Sequence, residues 1–123
     1  MILVDTSVWI DHLRRRDEQL GRLLEQGRAL AHPFVIGELA LGNLRNRDTI
    51  LRALRDLPAA PVATEDEMPA FIERHGLHGI GIGYIDAHLL AATLLTPGAA
   101  LWTRDRRLGE VAARLGLAWN AAH

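Results

Sequence analysis

Two short apolar runs near opposite ends of the chain set the folding problem. M-I-L-V at 1–4 and A-A-L-W at 99–102 contain no polar side chain. Runs of this length without alternation suit strands buried on both faces, the situation of a parallel sheet covered by helices. Parallel strands need crossovers between them, usually helical, and the intervening sequence offers several. Thr6 and Ser7 are N-cap candidates for a helix through Val8, Trp9, Ile10 and Leu13. Leu20, Leu23 and Leu24 repeat at helical spacing and stop near Gly27. A brief strand is expected at 29–31, then a helix opening at His32-Pro33 and carrying Val35, Ile36, Leu39 and Leu41. A further helix is expected over 48–57, and a short strand at 61–63 in the connector bracketed by Pro58 and Pro61.

Glu65, Asp66 and Glu67 place negative charge on the first turn of a helix bearing Met68, Phe71 and Ile72, which favours its dipole. G-L-H-G-I-G-I-G at 76–83 reads as a flexible approach to a strongly apolar, central helix over 84–95. After A-A-L-W come a helix over 106–115 and a last edge strand at 117–119. The expected fold class is α/β: a small parallel β-sheet flanked by helices on both sides, in a single domain spanning residues 1–123.

Composition narrows the chemistry. All 14 basic residues are Arg, there is no Cys, and Ser7 is the sole serine. A phosphate-binding P-loop lysine, a Schiff-base nucleophile, thiol catalysis and thiolate metal sites are all excluded. No G-x-S-x-G motif surrounds Ser7, so a nucleophile-elbow hydrolase is excluded too. Carboxylate, imidazole, hydroxyl and guanidinium chemistry remains. No run approaches the ~18 apolar residues of a membrane span, and Asp5 interrupts the opening run before a signal-peptide pattern forms. A cytoplasmic location is expected.

Most of the 15 acids fall on polar helix faces, but four have apolar neighbours in sequence. Asp5 follows M-I-L-V, Glu38 lies in F-V-I-G-E-L-A-L, Asp86 in G-Y-I-D-A-H-L-L, and Asp105 follows A-A-L-W-T-R. Asp5 and Asp105 sit at the carboxyl ends of expected strands, where open α/β sheets form ligand sites. Glu38 and Asp86 lie on expected helices and are expected to face inward. Each acid also has an ordinary use: Asp5 and Asp105 as N-caps, Glu38 as a partly exposed helix residue, Asp86 as a first-turn acid. Convergence of all four would raise their pKa values unless a cation compensates them. An all-oxygen donor set suits Mg²⁺ or Mn²⁺.

At these residues the chain resembles the PIN-domain nucleases, and in particular the VapC-type toxins of bacterial toxin–antitoxin pairs. The matching segments are V-D-T-S-V-W-I at 4–10, G-E-L-A-L-G at 37–42, G-Y-I-D-A-H-L-L at 83–90 and L-W-T-R-D-R-R-L at 101–108. The resemblance implies a PIN fold and metal-dependent endoribonuclease activity. It also implies a homodimer and a cognate VapB-type antitoxin whose C-terminal segment blocks the site. The family's acidic quartet falls on Asp5, Glu38, Asp86 and Asp105. Its hydroxyl residue beside the last acid falls on Thr103, and Ser7 matches a common polar position near the metal. Some relatives carry a further acid just after the fourth; here positions 106–108 are Arg, Arg and Leu.

In the mechanism this suggests, Asp5, Asp86 and Asp105 ligate the metal. Glu38 ligates it directly or through water, and Thr103 and Ser7 support the ligands by hydrogen bonds. Arg104, Arg106 and Arg107 beside Asp105 are the candidate RNA-phosphate contacts, preferred over Arg14, Arg15 and Arg16. Setting the four acids aside leaves 11 acidic side chains against 14 Arg, so the formal net charge of −1 does not oppose RNA binding. Trp9, Trp102 and Trp119 read as core residues, and His88 as local packing or a residue supporting the ligands rather than a ligand. An alternative is a PIN-fold module that binds RNA or protein and has lost turnover. A phosphatase is disfavoured because position 7 of a D-x-D motif is Ser.

Overall fold

A computed structural model describes residues 1–120. Its elements run β1 (Ile2–Val4), α1 (Thr6–Arg14), α2 (Glu18–Glu25), β2 (Ala29–Leu30), α3 (Pro33–Leu41), α4 (Arg47–Arg55), α5 (Glu67–His75), α6 (Tyr84–Leu95), β3 (Ala100–Trp102) and α7 (Arg106–Arg114). The strands form a parallel sheet in the order β2-β1-β3. Leu3 of the central strand pairs with Leu30 on one side and Leu101 on the other. The two apolar runs are therefore direct neighbours, and the expected α/β class holds.

Burial explains their composition. Ile2, Leu3 and Val4 are all buried, as are Leu101 and Trp102. The helices pack their apolar stripes around them: Val8 and Trp9 from α1, Leu20 and Leu23 from α2, Val35 and Leu39 from α3, and Leu108, Val111 and Ala112 from α7. Helix α6 spans the expected range, and every residue from Ala87 to Thr93 is buried. Asp86 immediately precedes that stretch, so the most deeply packed helix fixes its position. Trp9 and Trp102 are core residues, and the half-buried Trp119 meets Trp102 edge-on with ring centroids 4.6 Å apart.

The sheet margins differ from expectation in two places. The strand expected at 61–63 is replaced by a single bridge between Ala31 and Ala59. Ala31 N–H donates to the Pro58 carbonyl at 2.9 Å, and Ala60 N–H donates back to the Ala31 carbonyl at 2.7 Å. Pro61 has no N–H with which to continue such a ladder. At the other margin, the expected edge strand at 117–119 forms one bridge, Leu101 to Ala118.

Local capping sets where two helices start. Thr64 and Glu67 bond reciprocally, with Glu67 N–H on Thr64 Oγ1 at 3.2 Å and Thr64 N–H on Glu67 Oε1 at 2.7 Å. His32 caps α3 by accepting the Phe34 N–H on Nδ1 at 3.0 Å, followed by Pro33 in the first turn. His32 is fully buried; burial, with the neighbouring His88 adding to it, pushes its pKa down to about 4. The rings of Phe34 and Tyr84 each pack against His88 at 4.7 Å, which confirms His88 as a packing residue.

Candidate active site

Asp5 is the anchor of the candidate site. It leaves the end of β1 with its N–H on the Trp102 carbonyl at 2.9 Å, so the ends of β1 and β3 are tied together. Its side chain is only 6% exposed and makes no capping bond to α1. Two hydroxyls donate to Asp5 Oδ2 instead: Thr103 at 2.6 Å and Ser7 at 2.8 Å. The same hydroxyls serve the loop after β3. Ser7 Oγ accepts the Arg104 N–H at 3.0 Å, and Thr103 Oγ1 accepts the Asp105 N–H at 3.0 Å. Residues nearly 100 positions apart thus form one polar knot at the carboxyl ends of two adjacent strands, and the hydroxyls orient the buried carboxylate.

The other three acids are held by different partners. Asp105 caps α7 by accepting the Leu108 N–H on Oδ1 at 2.9 Å, and is exposed. Asp86 is half-buried and accepts the Gly83 N–H on Oδ2 at 3.0 Å. Glu38 accepts the Thr6 hydroxyl on Oε1 at 2.6 Å, a contact made possible where α1 packs on α3. Glu38 is exposed, which corrects the expectation that it faces inward. Val35 and Leu39 form the buried stripe of α3, and Glu38 lies off that stripe.

Electrostatics ties the four together. The Asp86 carboxyl is pushed above the usual carboxylate range, first by burial and then by the negative fields of Asp5, Asp105 and Glu38; the Gly83 N–H opposes the rise. Asp86 therefore lies within electrostatic reach of all three. Among the described residues, no three acidic or imidazole side chains stand as a ready-made ligand set for one ion. Each carboxylate is instead turned onto a hydroxyl or backbone N–H. The donor set is hard oxygen throughout and carries the mutual repulsion that a divalent cation would relieve, so in chemical terms it fits Mg²⁺ or Mn²⁺.

The raised Asp86 pKa has a measurable consequence. A carboxyl whose folded pKa exceeds its unfolded value holds its proton more tightly when folded. Its contribution to stability is fully present below the ordinary carboxylate pKa and is lost as pH rises through the raised one. Ionised Asp86 thus strains the metal-free fold near neutrality. We expect Asp86→Asn to raise the metal-free melting temperature by a few degrees near neutral pH, and to have little effect in acid. A lower melting temperature near neutrality would contradict the repulsion.

The arginines beside Asp105 divide. Arg104 is held by Asp11 through Nη1 and by Asp17 through Nη2 at 2.5 Å, and lies 5.7 Å from the Trp102 ring centroid. Asp17 also caps α2 by accepting the Leu20 N–H at 3.0 Å. With two carboxylate partners, Arg104 is a clamp fixing the β3–α7 loop to α1 and α2. That use weighs against the expected phosphate contact. Arg106 pairs with Glu110 at 3.2 Å, and Arg107 donates to the Ile80 carbonyl at 3.1 Å. Sequence reasoning missed Asp11 and Asp17 as the clamp's anchors and Thr6 as the partner of Glu38. Thr6 and Ser7 carried a signal as adjacent N-cap hydroxyls, but nothing local pointed them toward the acids.

The PIN domain family matches residues 2–114. Ribonuclease VapC32 of Mycobacterium tuberculosis is similar over nearly the whole length. The proteins of strain CDC 1551 / Oshkosh and strain ATCC 25618 / H37Rv are each 50% identical to this chain over 118 residues, covering 96% of it and 95% of the relative.

Proposed function

This chain belongs to the PIN-domain family, and from that premise we propose that it is a divalent-metal-dependent endoribonuclease, the toxin of a toxin–antitoxin pair. The likeness to a protein named a ribonuclease supports the RNA substrate. The observation that carries the chemistry is the carboxylate cluster, with Asp5 buried at the strand ends and Asp86 under the field of the other three acids.

Asp5, Asp86 and Asp105 would hold Mg²⁺ or Mn²⁺, with Glu38 joining directly or through water. The bound ion supplies Lewis acidity, making a nucleophile of water near neutral pH and neutralising charge at the phosphoryl group. The chain's residues supply position. Thr103 and Ser7 fix the orientation of Asp5 by hydrogen bonding one of its oxygens. The Arg104 clamp holds the loop that carries Thr103 and Asp105. Glu38, which is exposed, would orient an incoming water.

A VapB-type antitoxin, a toxin homodimer, a cytoplasmic site of action and a single domain over 1–123 complete the proposal. Among the described residues, no helix is long and apolar enough to cross a membrane.

Incubation with single-stranded and structured RNA tests the proposal. Cleavage should appear with Mg²⁺ or Mn²⁺ and fall to background with EDTA. RNA binding without cleavage in either metal would instead identify a silent PIN-fold module. Cleavage that persists in EDTA would remove the metal from the mechanism.

A further inference from the structure

We propose that the groove between α7 and the segment at 76–80 is a second RNA contact, seating backbone phosphates that flank the one at the carboxylates. The inference rests on the ribonuclease reading and adds a site to it. The groove encloses about 560 Å³ and is lined by Arg106, Arg107 and Arg114, by the single carboxylate of Glu110, and by Gly76, Ile80 and Val111. Arg107, Val111 and Arg114 stand at i, i+4 and i+7, so both guanidiniums project from one face of α7. Along the helix they are separated by about 11 Å, at ~1.5 Å per residue. That length spans more than one backbone phosphate.

The guanidiniums are anchored without being neutralised. Arg107 donates to the Ile80 carbonyl at 3.1 Å, and Arg114 donates to the His75 carbonyl at 3.0 Å. Among the described residues, neither forms an ion pair with a carboxylate. Each therefore keeps its full charge and several free N–H donors, while the carbonyl limits its rotamers. Arg106 is partly compensated by Glu110. Gly81 fits the same purpose: its φ is +85°, and a Cβ there would collide with the Arg107 guanidinium. A guanidinium held in this way suits phosphate oxygens through paired N–H donors.

Location ties the groove to the candidate centre. One wall, α7, begins next to Asp105; the other leads through Gly83 into the helix that carries Asp86. A strand whose phosphate lies at the carboxylates can leave between those two acids and enter the groove. The lining favours RNA over a peptide helix. Val111 is buried and Ile80 half-buried, so the accessible lining is mainly charged, three guanidiniums against the one carboxylate of Glu110, which suits a polyanion better than the apolar face of a helix.

The test uses the Asp5→Asn chain, so that RNA survives the measurement, and a fluorescein-labelled single-stranded RNA of mixed sequence. In that background, Arg107→Ala combined with Arg114→Ala should weaken binding about tenfold or more, and the log–log salt slope should shrink by about 0.7 for each phosphate no longer engaged. Lysine at both positions keeps the charge but not the paired donors, and should restore the salt slope and recover part of the affinity. Arg52→Ala removes the same charge from α4, beyond the opposite edge of the sheet, and should leave affinity and slope unchanged.

Unchanged binding in the double alanine variant overturns the groove, as does an equal loss from Arg52→Ala. A loss that lysine does not recover, accompanied by a lower melting temperature, reassigns the arginines to holding residues 75–80. Retained RNA binding with loss of a co-purifying antitoxin makes the groove a protein surface instead. Wild-type cleavage in Mg²⁺ or Mn²⁺ separates the groove from the activity it rests on. Cleavage with unchanged binding sinks the groove alone, whereas no cleavage in either metal sinks the ribonuclease reading and the groove with it.

Discussion

Asp5→Asn is expected to abolish the proposed metal-dependent RNA cleavage and to leave the fold intact. This is the largest functional effect expected of any single substitution. Asp5 is the most buried of the four acids and the only one that receives two hydroxyl bonds on one oxygen. An Asn carbonyl can accept the same two hydroxyls, so the knot between the ends of β1 and β3 survives. The negative charge does not, and with it would go the proposed central ligand. Loss of a partner that merely orients a ligand costs about 10–100-fold, so loss of this ligand should exceed about 100-fold. Two measurements check it together. Cleavage with Mg²⁺ or Mn²⁺ should fall below detection, while the circular dichroism melt in EDTA should match the wild type or lie slightly higher, because one repelling charge is gone. Added metal should raise the wild-type melting temperature by linkage and leave the variant's unchanged. Cleavage within a few-fold of wild type would remove Asp5 from the mechanism.

Leu3→Ala is the corresponding prediction for stability. Leu3 is fully buried at the centre of the middle strand, paired on one side with Leu30 and on the other with Leu101. Truncation leaves a cavity that helices on neither face can easily fill. The expected cost is about 2–5 kcal/mol, a large share of the roughly 5–15 kcal/mol that holds a domain together. Urea unfolding should show a lower midpoint with the slope unchanged. Leu41→Ala provides the contrast: Leu41 is 91% exposed, and its truncation should stay within about 0.5 kcal/mol. A cost below about 1 kcal/mol at Leu3 would mean that the sheet centre is not packed as described. Asp5 lies two residues after Leu3, just past the end of the same strand, so damage there should also lower cleavage in proportion to the unfolded fraction.

Both variants act at features legible in the linear sequence. M-I-L-V and A-A-L-W read as buried strands because nothing polar interrupts them, and they are neighbours in the sheet. Helix α6 was legible end to end because its apolar residues cover every face. The four acids stood out because each interrupts apolar sequence, and Asp5 and Asp105 do lie at strand ends. The exposure of Glu38 was not legible: F-V-I-G-E-L-A-L is apolar around it, but which face of α3 turns inward depends on α1 and α4 packing against it. Nor was the fate of Arg104, which in sequence is one of three arginines around Asp105 and in space is committed to Asp11 and Asp17.

The sequence by itself determined the fold class and pointed to carboxylate chemistry and to which acids to suspect. These follow from short-range pattern and from the absence of Lys and Cys, and neither needs a partner to be known. Tertiary structure decided which oxygen of Asp5 the hydroxyls hold, which arginine is a clamp and which, among the described residues, form no ion pair, and where the groove runs. Those outcomes depend on contacts across dozens of residues. Ion pairs and hydrogen bonds form only where folding brings their partners within about 3 Å, and no local propensity encodes that distance.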